Sequence, residues 1–269
     1  LLRKDLRALV KMLAQNPRVH DLAMTTNGVL LEEHAQSLYD AGLHRVTVSL
    51  DTLKSDRFRT LAQRDVHERV LSGIQAVARA GFTGSKIDAV IMRGVNDDEL
   101  PDLIEYGKRV NAEVRFIEYM DVGGATRWSM DTVLSRAAML DLLALRYGPI
   151  SPVVEENSAP ADRYAMRDGT VFGIISSVTA PFCRSCDRSR LTADGMWYRC
   201  LYAVSGTDLR TPVRCGASAE KLHALITGVW RERRDRGAEE RHRLPDRAPL
   251  IQAGALKRNP HLEMHTRGG

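Results

Sequence analysis

The first 120 residues alternate helical and strand periodicities, and no other feature restricts the fold as much. Leu6, Leu9, Val10 and Leu13 recur at helical spacing, and Asp21 to Thr25 follows as a short buried strand closed by Thr26-Asn27-Gly28. A helix from Glu32 to Ala41 stops at Gly42, and Arg45 to Asp51 is the next strand. Val66, Val70, Ile74 and Val77 line a helix that stops at Gly81, ahead of a strand from Lys86 to Met92 and the turn Gly94-Val95-Asn96-Asp97. Leu100, Leu103, Ile104 and Val110 mark the helix before the strand from Glu113 to Met120. Such repeats predict a parallel sheet with helical crossovers, either an α/β barrel or a doubly wound sheet. Both folds gather ligands at the carboxyl ends of the strands. The polar residues near those ends are Thr25, Thr26, Asn27, Ser49, Asp51 and Asp121. Lys86 and Arg115 lie earlier in their strands, where long side chains still reach inward. Taken singly, each is more often a helix cap or turn residue than a ligand.

After Met120 the pattern changes. Asp121 to Gly124 reads as a loop, Ser135 to Tyr147 as a helix, Gly148 to Gly169 as irregular, and Val171 to Ser176 as a strand. A boundary is placed here, giving residues 1–122 and 123–269. Leu222, Leu225, Ile226 and Val229 form a last helix face, running into Trp230 to Arg236, whose mixed charges read as solvated. Trp197-Tyr198 and Met139 to Leu145 read as core.

Three of the 4 cysteines cluster late in the chain. Cys183 and Cys186 form a CxxC pair, and Asp194-Gly195 predicts a tight turn, with φ above zero at both positions, that folds Cys200 back toward them. Three soft ligands suit an iron–sulfur centre or zinc. If Cys215 is the fourth ligand the site is closed and structural; if not, one position is open to a substrate. Arg188 and Arg190, two apart in an expected strand and so on one face, favour the open site with an anionic guest such as phosphate. The plain alternative is a solvated basic strand.

Composition excludes several classes. At 43% hydrophobic and 27% charged residues, the chain is that of a soluble globular protein. No run approaches a membrane span, and no signal segment opens the chain. So few cysteines favour a metal site in a reducing cytoplasm over disulfides. The net charge of +5 comes without basic–aromatic interleaving, so a small anionic substrate explains it better than nucleic acid.

The ordered series Met24-Thr25-Thr26-Asn27-Gly28, Val48-Ser49-Leu50-Asp51, Gly94-Val95-Asn96-Asp97, Arg115 to Gly123, the cysteine stretch and the terminal Gly268-Gly269 resembles the molybdenum cofactor biosynthesis protein A family, the GTP 3′,8-cyclases. These are radical S-adenosylmethionine (SAM) enzymes. The resemblance spans essentially the whole chain. It implies a radical-SAM-type (β/α)6 TIM-like barrel, incomplete here, with an α+β C-terminal cluster-binding region. It implies a C-terminal [4Fe–4S] cluster on Cys183, Cys186 and Cys200, with an open iron for the guanine of GTP. Thr25, Lys86, Arg188, Ser189 and Arg190 would bind GTP, Ser49 and Met120 would line the SAM site, and Arg115 would act in the same cavity. The implied product is 3′,8-cyclo-7,8-dihydro-GTP, formed when a SAM-derived radical takes the ribose 3′ hydrogen. The implied partners are a reductant, a downstream cyclic pyranopterin monophosphate synthase and, as an option, a second copy in a homodimer.

The departures are as specific as the matches. The CxxxCxxC of the SAM cluster and a Gly-Gly-Glu-Pro segment do not occur in this sequence. The expectation is a shortened gene product or a piece of a longer chain, lacking the first barrel strands and unable to cleave SAM alone; an N-terminal [4Fe–4S] cluster is expected only in the full-length protein. Asp88 stands where the family usually has Asn, Asp187 where it has Asn or Thr, and Arg267 where an apolar residue is common. Competing readings are another radical SAM enzyme with an auxiliary cluster, and a zinc-stabilised binding module using all 4 cysteines.

Overall fold

The computed structural model describes residues 1–125, 127–155 and 157–267, apart from the side chains of His265 and Arg267. The terminal Gly268-Gly269 lies outside the described residues. By contacts the chain forms two units. One comprises Leu1–Glu118, Leu134–Glu155 and Ala161–Ile175; the other comprises Tyr119–Val133, Glu156–Pro160 and Ser176–Gly269.

The first unit is built on one sheet. Its strands are β1 (Ala23–Thr26), β2 (Arg45–Ser49), β3 (Lys86–Ile91), β4 (Glu113–Glu118), β5 (Ser151–Val153), β6 (Asp162–Ala165) and β7 (Val171–Ile175). The order is β1-β2-β3-β4-β7-β6-β5, parallel from β1 through β7 and antiparallel beyond. From β1 to β4, neighbours in space are neighbours in sequence, with no reversal. A doubly wound sheet must reverse its order at a switch point, so this winding is that of a TIM-like barrel wall.

Alternation along each strand separates the two faces. Val46, Val48, Ile87, Ala89, Ile91, Val114, Phe116, Phe172 and Ile174 are at most 3% exposed. They pack with apolar residues of α2 (Leu31–Asp40), α4 (His67–Arg79), α5 (Leu100–Arg109) and α6 (Arg136–Tyr147) in one core. Burying a side chain of this size contributes roughly 1.5–3 kcal/mol, so these rows fix the register. A one-residue slip would turn every one of them to the polar face.

Buried polar residues brace the loops at the strand ends. The Asp51 carboxylate accepts from the Val90 amide at 2.8 Å. Asn96 Nδ2 donates to the Asp51 and Val90 carbonyls at 2.8 and 2.9 Å, and its Oδ1 accepts from Met92 N at 2.8 Å. Glu99 accepts from the Thr52 hydroxyl at 2.6 Å and the Leu53 amide at 2.7 Å. The Leu50-Asp51 and Asn96 segments of the motif series are therefore architectural, satisfying backbone that would otherwise be buried without partners.

Several expectations change. β1 is half-exposed rather than buried, because it ends the sheet order. Between Gly148 and Gly169 lie the strands β5 and β6; β5 is the opposite edge, where Pro152 is tolerated because one side needs no ladder bonds. The helix α3 (Ser55–Ala62) escapes pattern reading because it buries no residue. In α6 only Met139 and Leu143 are buried, and Leu145 is 85% exposed.

The second unit holds a small antiparallel sheet in the order β10-β9-β8, with β8 (Arg190–Leu191), β9 (Met196–Tyr198) and β10 (Thr207–Asp208). Its helices include α7 (Arg210–Arg214), α8 (Ala219–Arg231) and α9 (Gly237–His242). Trp197 and Tyr198 are buried as expected, and Trp197 stacks on Trp230 with ring centroids 6.1 Å apart. No residue of α8 is fully buried; on its expected apolar face Leu222, Leu225 and Val229 are half-buried and Ile226 is exposed.

Asp121 anchors this unit. Its carboxylate accepts from Arg241 Nε at 2.6 Å, from Arg247 Nε and Nη2 at 2.9 and 2.6 Å, and from the Tyr202 hydroxyl at 3.3 Å. Burial pushes this carboxyl up, but the two guanidinium groups outweigh it and hold it below the usual range.

Candidate functional site

In the first unit the expected ligand residues share the polar face of the sheet. Register puts Thr25 beside Thr47, Thr47 beside Lys86, and Lys86 beside Glu113. One step along, Ser49 neighbours Asp88, Asp88 neighbours Arg115, and Arg115 neighbours Gly173. Thr25, Ser49, Lys86 and Arg115 thus fall in two adjacent rows, with Thr25 and Ser49 exposed and the two cations half-buried.

Electrostatics in these rows are tightly coupled. Burial first, then the cations of Arg115 and Arg45, hold the Lys86 ammonium down to about 8. Burial pushes the Asp88 carboxyl up to about 6, against the pull of Arg115 and Lys86. Asp88 Oδ1 is buried with no hydrogen-bond partner. Arg115 Nε donates to Glu113 Oε1 at 3.0 Å, and Arg163 Nε donates to Glu113 Oε2 at 3.0 Å. Glu113 therefore fixes Arg115 in place, a role that pattern reading did not assign to it.

In the second unit, Cys183 opens a tight helical turn over Cys183–Ser185 and Cys186 closes it, its amide donating to the Cys183 carbonyl at 3.3 Å. The hairpin forms as expected, with Arg190 opposite Tyr198 and Leu191 opposite Trp197. Its turn differs in detail. Gly195 N donates to Thr192 O at 2.9 Å and only Gly195 has positive φ, +90°, so the loop has three residues with glycine alone in the left-handed position. Cys200 follows β9, as the hairpin requires. Arg188 lies outside β8, so the shared strand face expected for Arg188 and Arg190 is not formed.

Cys183, Cys186 and Cys200 are half-buried, whereas Cys215 is exposed at the end of α7. Burial pushes the Cys183 thiol up, opposed by amides at Glu239 and Ala238, and the Cys200 thiol adds to the rise. Burial acts on Cys186 too, but the Arg188 amide and the guanidinium groups of Arg233 and Arg188 pull it below its ordinary value. The guanidinium nitrogens stand 3.7 Å (Arg188) and 3.5 Å (Arg233) from Cys186 Sγ. Among the described residues, no three His, Cys, Asp or Glu side chains are grouped to hold a single metal ion. Ser189 is exposed, and Asp187 accepts from the Ser158 hydroxyl at 2.7 Å. Met120 packs beside the small cluster of Trp128, Val133 and Val178.

Arg233 corrects the solvated reading of the charge run after Trp230. It donates to the Cys186 carbonyl at 2.6 Å and lies over the Trp230 ring at 4.7 Å. The i, i+3 spacing of an aromatic and an arginine was its one local signal. Arg241 and Arg247, the partners of Asp121, had none.

Two family models match. Residues 1–107 match the radical SAM superfamily and residues 112–239 match Molybdenum Cofactor Synthesis C. The chain is 55% identical, over its full length, to GTP 3′,8-cyclase 3 of Mycobacterium bovis, of which it covers 72%. The chain belongs to the GTP 3′,8-cyclase family. GTP 3′,8-cyclase 1 of Mycobacterium tuberculosis is likewise 55% identical, with 76% of its length covered. The GTP 3′,8-cyclase of Acidothermus cellulolyticus is 46% identical over 90% of this chain and 68% of its own. A solved structure described as TYW1 with a lysine-pyruvate adduct bound overlaps 63% of this chain and 51% of its own, at 16% identity and a TM-score of 0.42. As a GTP 3′,8-cyclase family member the chain is a radical SAM enzyme of molybdenum cofactor biosynthesis. No helix among its described residues is long and apolar enough to cross a membrane.

Proposed function

We propose that this chain serves the conversion of GTP to 3′,8-cyclo-7,8-dihydro-GTP, with a [4Fe–4S] cluster held by Cys183, Cys186 and Cys200. One observation carries the reading: two guanidinium groups converge on the sulfur of Cys186 in a chain 55% identical to named GTP 3′,8-cyclases. The donor set fits such a cluster. Three cysteines, deprotonated, supply soft thiolate ligands, and the buried Nε–H groups of Arg188 and Arg233 have no acceptor in the protein, as expected beside an anionic inorganic sulfide. A cubane is also wider than an ion, so its thiolates need not meet at one point.

When bound, such a cluster would supply an iron Lewis-acid site for the guanine ring and SAM would be the source of the radical, the one-electron chemistry belonging to these cofactors. The protein's residues hold and orient. Arg188, with the Ser189 backbone, and Arg190 bind the triphosphate end of GTP as charge-assisted donors. Thr25 contributes a hydroxyl and Lys86 a cation to GTP. Ser49 and Met120 line the SAM site. Arg115, immobilised by Glu113, orients the reacting groups from the polar face of the sheet. A reductant and the downstream cyclic pyranopterin monophosphate synthase are the functional partners, in the cytoplasm.

Anaerobic reconstitution with iron and sulfide tests the assignment. A brown protein with about four irons, the content of one cubane, whose spectrum changes on adding GTP, is the expected result. A colourless protein retaining a single zinc overturns it. Arg188→Ala keeps the iron and weakens GTP binding; unchanged GTP affinity would remove Arg188 from the substrate site.

A further inference from the structure

Arg233 touches Cys186 twice. One terminal nitrogen donates to the Cys186 carbonyl at 2.6 Å, and the other stands 3.5 Å from its sulfur. The guanidinium rests on an aromatic stack. Arg233 lies over Trp230, which stacks on Trp197 at an interplanar angle of 21°. Arg188 approaches the same sulfur at 3.7 Å, over the Phe182 ring at 4.8 Å.

We propose that Arg233 is a positioning residue of the auxiliary centre, clamping Cys186 and drawing the reduction potential of a cluster bound there upward. The inference rests on the cluster reading above. A substrate-phosphate role suits Arg233 poorly, because both arms of its fork are committed to Cys186. The physical basis is charge. A reduced cluster carries one more negative charge, so a fixed cation and a hydrogen bond at a ligating sulfur stabilise the reduced form more.

The test is a redox titration of the anaerobically reconstituted chain, followed by electron paramagnetic resonance, with iron counted in parallel. The couple takes one electron from dithionite, and no bond forms or breaks. Arg233→Met is expected to keep its iron and to become harder to reduce by about tenfold, which for a one-electron couple is about 59 mV. Arg233→Lys returns the charge without the planar fork and is expected to recover part of that shift. Should Arg233→Met hold no iron, Arg233→Gln, which keeps hydrogen-bond donors without the charge, decides: a potential more negative than the parent's supports the inference, and the parent's potential or no iron overturns it. Full iron with an unchanged potential in Arg233→Met overturns the inference alone. A parent chain that takes up no iron overturns the cluster reading and the inference with it.

Discussion

Asp88→Asn is expected to stabilise the protein at neutral pH and not in mild acid. Asp88 lies between Ser49 and Arg115 on the polar face of the sheet, and its Oδ1 is buried without a partner. Burial, the largest influence, pushes its pKa from 3.8 to about 6. At about 1.36 kcal/mol per pH unit, ionising this carboxyl inside the fold costs about 3 kcal/mol. The sign follows from proton binding. Below pH 3.8 both states hold the proton, and nothing is lost. Between 3.8 and about 6 the folded chain keeps a proton that the unfolded chain releases, so stability falls as pH rises. Above that window the whole penalty is present. Asparagine keeps the shape and cannot ionise, though an unpartnered amide N–H returns about 1 kcal/mol of the gain. The net gain is about 2 kcal/mol near pH 7.5, vanishing near pH 4.5. Urea midpoints of parent and variant at the two pH values measure it. An effect of the same size at both, or a loss at neutral pH, would refute the buried-carboxylate argument.

Three other outcomes are expected. GTP affinity, followed calorimetrically, should fall as pH rises through about 8, where Lys86 gives up its proton, and Lys86→Met should flatten that fall. Asp121→Asn leaves Arg241 and Arg247 around a neutral group in a site whose carboxylate is fully buried; a loss of roughly 3–5 kcal/mol is expected from breaking such a network, and an unchanged melting temperature would contradict it. Gly123→Ala places a Cβ 2.6 Å from Met264 Cγ at a backbone φ of +57°, so limited proteolysis should cut the segment 260–267 faster in the variant; equal cutting would show that Gly123 does not seat it.

What was legible in the sequence and what was not divide along a physical line. Periodicity reports burial within one element, so Val46, Ile87, Val114 and Phe116 gave away the strands of the wall, and the turn residue Gly195 gave away the hairpin that returns Cys200. Periodicity is silent where an element buries nothing, as in α3, or where strands are short, as in β5 and β6. Choosing a barrel wall over a doubly wound sheet needed strand order, which is a relation between segments and leaves no mark in any one of them. The same limit applies to the charged residues. Arg233 reaches Cys186 across 47 positions, and Arg247 reaches Asp121 across 126. An arginine that neutralises a distant buried group looks, in its own neighbourhood, like one that faces water. The mixed charges after Trp230 therefore read as solvent-facing, although Arg233 among them grips a thiol. Aromatic spacing is the usable clue, because a guanidinium held over a ring has given up the mobility of a surface side chain, and Arg233 lies over Trp230 at 4.7 Å.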